Sequence, residues 1–421
     1  MDINHDRVWY LKLHWQVLGA MLLGALTGLI FGEGAANAIG WIGDLFMRLL
    51  RMIIVPLVVA SIVSGVASIG GGRAIGRLFS KTMGYYLLTS FLAASTGLIV
   101  VNLFRPGVGA TLGDAVAAEE MPQLDIPSSG VELLLDIVPT NIVSSAAAGD
   151  MLPIIFFSIL LGAAITTLKA DAPRGTLIGF FNAFFQVMVA LTSGIIKLLP
   201  IGVFALITRM VGTTGFESFA PLIRYFLTVG TGLSIHLFVT LPIVLIVLAR
   251  ISPAIHFKNM RNPLLIAFST SSSAATLPVT MRTVQERVGV SNKVSSFVLP
   301  MGATVNMDGT AVFECVGALF IAQVIGFDLS LGAQVVAVMT ALLASIGAAA
   351  VPSAGLVVIF IVLDAIGLGG HPQAEAIVLA MLAIDRPLDM YRTAINVFTD
   401  SSGAALIARS EGEDGVDAEV R

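Results

Sequence analysis

The sequence predicts an all-α membrane protein with eight transmembrane helices and two oppositely oriented re-entrant helical hairpins arranged as inverted repeats. Three observations predict it. The chain of 421 residues is 56% hydrophobic and 12% charged, with a mean hydropathy of +0.93, whereas soluble domains carry about 25% charged residues. Apolar runs long enough to cross a bilayer, about 20 residues, recur at 15–32, 40–70, 83–104, 152–168, 176–208, 222–249, 295–326 and 374–408. Two further segments are each split into short apolar halves by small or polar residues.

The first run is too long, and too closely followed by others, for a cleaved signal peptide. The second, "RMIIVPLVVASIVSGVASI" (51–69), is rich in small residues suited to close helix contact. Arg7 and Lys12, "GGRAIGRLFSK" (71–81), "KADAPRG" (169–175), "RISPAIHFKNMR" (250–261) and "MRTVQERVGVSNK" (281–293) are basic. "GDAVAAEEMPQLD" (113–125) and "GTTGFESFA" (212–220) carry acids and no Lys or Arg. This alternation places both termini in the cytoplasm of a cell (inner) membrane protein. The net charge of −4 is spread over loops and tail and suggests no nucleic-acid partner. Cys315 stands alone, which excludes a disulfide framework and a Cys-based metal centre. The acidic end "SEGEDGVDAEVR" (410–421) reads as disordered.

The two split segments are "NPLLIAFSTSSSAATLPVT" (262–280) and residues 330–370, which centre on "SIGAAAVPSAG". Each half is too short to cross about 30 Å of hydrocarbon. Turn backbone at membrane depth is tolerated only beside protein or a water-filled cavity. The first hairpin has basic flanks and should enter from the cytoplasm, the second from outside. Such paired interruptions point to a transporter's binding site. Between them, "FVLPMGATVNMDGTAVFECVGALFIAQ" (297–323) holds Asn306 and Asp308 in mid-span, with Gly302 and Gly309 weakening the helix. Unwound carbonyls beside a carboxylate suit a small hard cation such as Na⁺. On the last run, Asp385, Asp389, Arg392, Asn396 and Asp400 share one helical face, and Ala394, Ile395, Val397 and Phe398 turn away.

"NMDGT" (306–310), "TSSSAATLPVT" (270–280), "ASIGAAAVPSAG" (344–355), the pattern from Asp385 through "LDMYRT" to Asp400, and "YYLLTS" (85–90) resemble the dicarboxylate/amino acid:cation symporter family. The resemblance covers nearly the whole chain. It implies that Arg392 holds a substrate's side-chain carboxylate with help from Thr310. Asp389 then takes the amino group. Asn396, with the backbone near Ser272 and Ser273, takes the α-carboxylate, and Thr393 belongs to the same site. Val351 and Gly355 form the lid. It implies three Na⁺ cages: Gly302, Asn306, Asn396 and Asp400; Thr304, Ser345, Ile346 and Ala348; and Tyr86, Thr89, Ser90, Asn306 and Asp308. Glu314 matches the position of a proton-carrying glutamate, making H⁺ a candidate second coupling ion. Ser271 stands where archaeal members have arginine, while Arg386 appears on the last helix.

The resemblance further implies a homotrimer, embedded in membrane lipid, that works by an elevator motion. Its scaffold is 1–81 and 126–221, its moving module 82–112 and 222–408, and its disordered tail 409–421. The expected function is sodium-driven uptake of acidic amino acids, with no cofactor and no enzymatic activity. A C4-dicarboxylate carrier is the nearest alternative, against which Asp389 argues. A passive channel would more naturally show rings of like charge. The "SSS" cluster lacks a nearby His to act as base. Lone His236 reads as a hydrogen-bonded packing residue, and Asp385 as orienting the helix or pairing with Arg386 rather than binding anything directly.

Overall fold

The computed structural model describes residues 13–67, 73–110, 138–148, 151–168, 171–215, 219–347, 354–413 and 415–417. Among them the chain is helical, with no strand. Helix α1 (Leu13–Ala67) is two helical runs meeting at Gly32, whose φ of 54° and ψ of −140° suit glycine. α2 (Arg73–Phe104), α3 (Ile142–Ala148) and α4 (Met151–Thr167) follow. The apolar run at 176–208, expected as one span, is instead α5 (Asp171–Ile196) and α6 (Leu199–Thr214). Pro200 explains the break: it lacks an N–H and fits only the first turn of a new helix.

α7 (Phe219–Ile235) continues through a π-helical turn (His236–Thr240), a short α segment (Leu241–Val244) and a second π-helical turn (Leu245–Ala249). Pro242, inside this stretch, cannot donate to the turn before it, and the widened turns absorb that defect. α8 (Pro253–Thr270) and α9 (Ser273–Thr283) form the first helical hairpin. Its turn is Ser271, left-handed at φ 50°, then extended Ser272, whose hydroxyl accepts from the Ala275 amide at 3.2 Å and caps α9.

The expected weak point in the next span is a true break. α10 (Asn292–Val305) is capped by Asn306 and α11 (Asp308–Ile325) begins two residues after it, with Asn306 and Met307 both non-helical. α12 (Leu331–Gly347) and α13 (Ala354–Ala365) pack together as the second helical pair. The turn between them, including Ala348 and Val351, lies outside the described residues. α14 (Pro372–Ser410) closes the fold. Its 39 residues extend about 58 Å, well beyond a hydrocarbon core.

α1 packs on α4, α5 and α6, while α11 is surrounded by α2, α7, α12, α13 and α14. Every residue from Asp308 to Ala322 is buried. The exterior is the reverse of a soluble protein's: Leu22, Ile30, Ile99, Leu103 and Val247 are each more than two-thirds exposed, while Asp308, Glu314, Arg392 and Asp400 are buried. Among the described residues, five helices are long and apolar enough to cross a membrane: Trp15–Phe46, Gly76–Phe104, Ala172–Ile196, Ala220–Ala249 and Asn292–Ile325. Val55–Ala67, Pro153–Thr167 and Leu199–Thr213 are shorter apolar helices. This is a multi-pass membrane protein.

The tail expected to be disordered from 409 is held as far as Asp417. Glu411 accepts from Arg77 and Lys81, each at 2.6 Å. Glu413 accepts from the Ser291 amide and hydroxyl at 2.9 and 2.6 Å. Asp417 accepts from Asn259 at 2.9 Å, lies 2.7 Å from His256 Nδ1, and donates its amide to the Val288 carbonyl at 2.7 Å. An acidic segment reads as solvated in isolation, but here Glu411, Glu413 and Asp417 each meet a donor near the base of the first hairpin or the start of α2. Residues 414 and 418–421 lie outside the described set.

Candidate functional site

The last helix brings its charged stripe into the core. Arg392 Nη2 donates to Asp385 at 2.9 Å and to Asp389 at 3.1 Å. Arg386 Nη1 donates to the other Asp389 oxygen at 3.2 Å. Asp385 therefore pairs with Arg392 rather than with Arg386, which corrects one of the two roles expected for it. The i, i+7 separation of Asp385 and Arg392 spans two turns of one face, within reach of a long arginine. The guanidinium also lies over the Phe313 ring, 3.8 Å from its centroid.

Two arginine donors point elsewhere. Nε and Nη1 of Arg392 have no hydrogen-bond partner among the described residues. Gly355, on α13, faces them: a Cβ there would lie 2.6 Å from Nη1. Gly309 supports the arginine from behind, where a Cβ would stand 2.8 Å from the Arg392 Cα. Thr310 follows Gly309 and is buried; Thr393 is buried too, its hydroxyl donating to the Asp389 carbonyl at 2.8 Å. Ser273 is buried at the start of α9. An arginine fork with free donors beside an aspartate can take a carboxylate and an ammonium together.

Next to this cluster lies a set of oxygen-bearing side chains. Asn306 Nδ2 donates to Asp400 at 3.0 Å, and Asn396 Oδ1 accepts from the Gly309 amide at 2.8 Å. The Asn306 amide bonds the Gly302 carbonyl at 2.9 Å. Gly302, Asn306, Asn396 and Asp400 thus share one neighbourhood. On the other side of the break, Asp308 Oδ1 accepts from Ser90 at 2.7 Å and lies 3.4 Å from the Thr89 hydroxyl. Ser90 also lies 3.4 Å from Asn306 Oδ1. Tyr86 donates to the Val298 carbonyl at 2.9 Å, and a Cβ on Gly302 would stand 2.5 Å from its hydroxyl. These donors are hard oxygens, the chemistry of Na⁺ rather than of a softer metal.

The structure does not assemble every expected residue. Ser345 is buried on α12, its hydroxyl donating to the Leu342 carbonyl. Thr304 lies on α10 and Ile346 on α12. Ala348 and Val351 are outside the described residues, so the second cage and half of the lid are not placed. Glu314 is fully buried on α11, and both carboxylate oxygens lack a hydrogen-bond partner among the described residues.

The hydrogen bond expected at His236 is present, and its partner is one that sequence reasoning did not name. His236 opens the first π turn and lies 3.1 Å from Asp308 Oδ2, both fully buried. A lone histidine in an apolar span signals a hydrogen bond but cannot name its partner.

A profile of the Sodium:dicarboxylate symporter family matches residues 13–410. The chain is 35% identical over 409 residues to the Proton/sodium-glutamate symport protein of Geobacillus stearothermophilus, covering 95% of each. It is 34% identical to the Proton/glutamate-aspartate symporter of Escherichia coli (strain K12), covering 95% of this chain and 93% of that one. It is 32% identical to Excitatory amino acid transporter 3 of Mus musculus, covering 95% of this chain and 86% of the relative.

Proposed function

The chain belongs to the Sodium:dicarboxylate symporter family, a family of transporters, and from that premise we propose that it takes up acidic amino acids, glutamate and aspartate, driven by Na⁺. The observation that carries the substrate is the Arg392 fork, buried, turned toward Gly355, with Asp389 beside it. The fork receives the side-chain carboxylate with help from Thr310, and Asp389 receives the amino group. Asn396 and the turn at Ser272 and Ser273 receive the α-carboxylate, with Thr393 fixing the Asp389 backbone. Gly355 and Val351 close over the substrate. A C4-dicarboxylate lacks the ammonium, so Asp389 would face its carboxylates as a like charge.

Arg386 and Arg392 balance Asp385 and Asp389 before substrate arrives, which lets the cluster persist in a buried setting. Na⁺ occupies the cage of Gly302, Asn306, Asn396 and Asp400, that of Tyr86, Thr89, Ser90, Asn306 and Asp308, and a third made by Thr304, Ser345, Ile346 and Ala348. No cofactor takes part. Glu314 carries a proton: an ionised carboxylate buried without a hydrogen bond is costly, and a proton removes that charge as an acidic substrate enters.

The architecture we propose is eight spans and two re-entrant hairpins in inverted repeats, in the cell (inner) membrane with both termini cytoplasmic. Spans one, two, four and five form the scaffold of a homotrimer; span three and residues 222–408 move as one body in an elevator motion. The packing of α1 on α4 to α6, and of α11 amid α2, α7 and α14, supports this division. The decisive experiment is concentrative uptake into proteoliposomes, with a substrate panel and separately imposed Na⁺, H⁺ and K⁺ gradients. Aspartate or glutamate accumulation that requires the sodium gradient supports the proposal; accumulation without it, or downhill flux only, refutes it.

A further inference from the structure

His236 sits on α7's continuation and is not among the residues assigned above to substrate or ions. Its ring is fully buried, with Nε2 3.1 Å from Asp308 Oδ2 and Nδ1 without a partner among the described residues. A carboxylate only accepts, so Nε2 carries the proton and donates. Asp308 is then held at both oxygens from two helices. Ser90 on α2 binds Oδ1 at 2.7 Å, with Thr89 at 3.4 Å, and His236 binds Oδ2.

That second grip matters because of where Asp308 stands. It is the first residue of α11, immediately after the break at Asn306 and Met307. An aspartate in a first helical turn can swing its carboxylate onto the amides of its own helix. A donor fixed on Oδ2 opposes that rotation and keeps Oδ1 turned toward Ser90 and Thr89. His236 begins a π-helical turn, which shifts its side chain relative to a regular α-helix, and such bulges recur at functional sites. Close helix approach supports the reach: a Cβ on Gly232, one turn earlier, would stand 3.0 Å from Val312 on α11.

We infer that His236 is a positioning residue for the cation cage at Asp308, orienting the carboxylate without touching the ion. The inference rests on the sodium-coupled reading above. Outer partners of this kind are worth about 10- to 100-fold in ion affinity.

The test measures the sodium concentration for half-maximal aspartate binding, on full-length protein, in three variants. His236→Phe keeps the volume and removes the donor; it should raise that concentration about 10- to 100-fold and leave aspartate affinity at saturating sodium as in wild type. His236→Gln restores a donor at similar reach and should return the sodium dependence toward wild type. His236→Asn, too short to reach, should behave like the Phe variant and replaces it if Phe does not fold. In an Asp308→Asn background the same changes should add little, because the carboxylate they orient is gone. Wild-type sodium dependence in the Phe and Asn variants overturns the inference, as does an effect fully additive with Asp308→Asn. Aspartate binding by wild type without any sodium requirement overturns the symporter reading itself.

Discussion

Replacing Arg392 with cysteine removes the fork proposed to hold the substrate, and the structure sets the size of the expected effect. Nη2 is already committed to Asp385 and Asp389 at 2.9 and 3.1 Å, leaving Nε and Nη1 for a bound carboxylate. Hydrogen bonds to charged groups contribute about 1.5–3 kcal/mol each, so two amount to about 3–6 kcal/mol. At about 1.4 kcal/mol per tenfold, acidic-substrate affinity should fall roughly 10²- to 10⁴-fold. Arg392→Cys also strips Asp385 of its donor, which could weaken the site for a different reason. The double variant Arg392→Cys, Asp385→Asn removes that stranded charge and isolates the lost fork. Binding of radiolabelled aspartate to purified protein at saturating sodium gives the affinity, with serine in parallel and the thermal unfolding profile as a control for folding. The loss should appear in both variants for aspartate and glutamate, with serine gaining relative to them. Undiminished aspartate affinity in the folded double variant would refute the assignment.

Other outcomes follow from the same geometry. Asp400→Asn and Asp308→Asn each remove a charge from an oxygen cage and should raise the sodium requirement for substrate binding, roughly tenfold or more, read by sodium titration. Gly355→Ala puts a methyl 2.6 Å from Arg392 Nη1, so the fork must shift and acidic-substrate affinity should drop without a matching change in sodium dependence. Glu314→Gln should keep substrate binding and abolish the acceleration of uptake by an imposed inward proton gradient; equal acceleration in wild type and variant removes Glu314 from proton carriage. Arg77 and Lys81 pull the Glu411 carboxyl down from its ordinary 4.5 to about 2. A depressed carboxyl stabilises the fold above its unfolded value and loses that contribution as pH falls toward 2. The tail contact is therefore intact at neutral pH, and Glu411→Gln should leave the pH profile of uptake between about 5.5 and 8 unchanged.

What could be read from the sequence was whatever has a short period or a local cause. The stripe from Asp385 to Asp400 follows from helical spacing, and the unwinding at Asn306 from flanking glycines beside polar residues. The turn at Ser271 and Ser272 follows from a serine cluster between apolar halves. The break before Leu199 also had a local sign in Pro200, which the continuous hydropathy of the run outweighed. Partnerships across the chain were not legible. His236 meets Asp308 from 72 residues away, and the tail's acids find Arg77, Lys81 and Asn259 only once α2 and α8 are in place. Asp385 had two arginines within reach on its own helix, and spacing alone could not choose between them.

The interruption at Asn306 and Met307 also has an electrostatic consequence. A helix carries about half a positive charge at its start and half a negative charge at its end. Here α10 ends and α11 starts within two residues of each other, so opposite poles lie side by side in the core rather than at opposite ends of one long helix. A cation is drawn to the carbonyl pole and an anion to the amide pole. Each bound charge then strengthens the field felt by the other. Such mutual strengthening is reciprocal by thermodynamic necessity: whatever factor sodium adds to substrate affinity, substrate must add to sodium's. On the proposed function, two residues of unwound backbone thus supply a source of ion–substrate coupling that requires no direct contact between the two passengers.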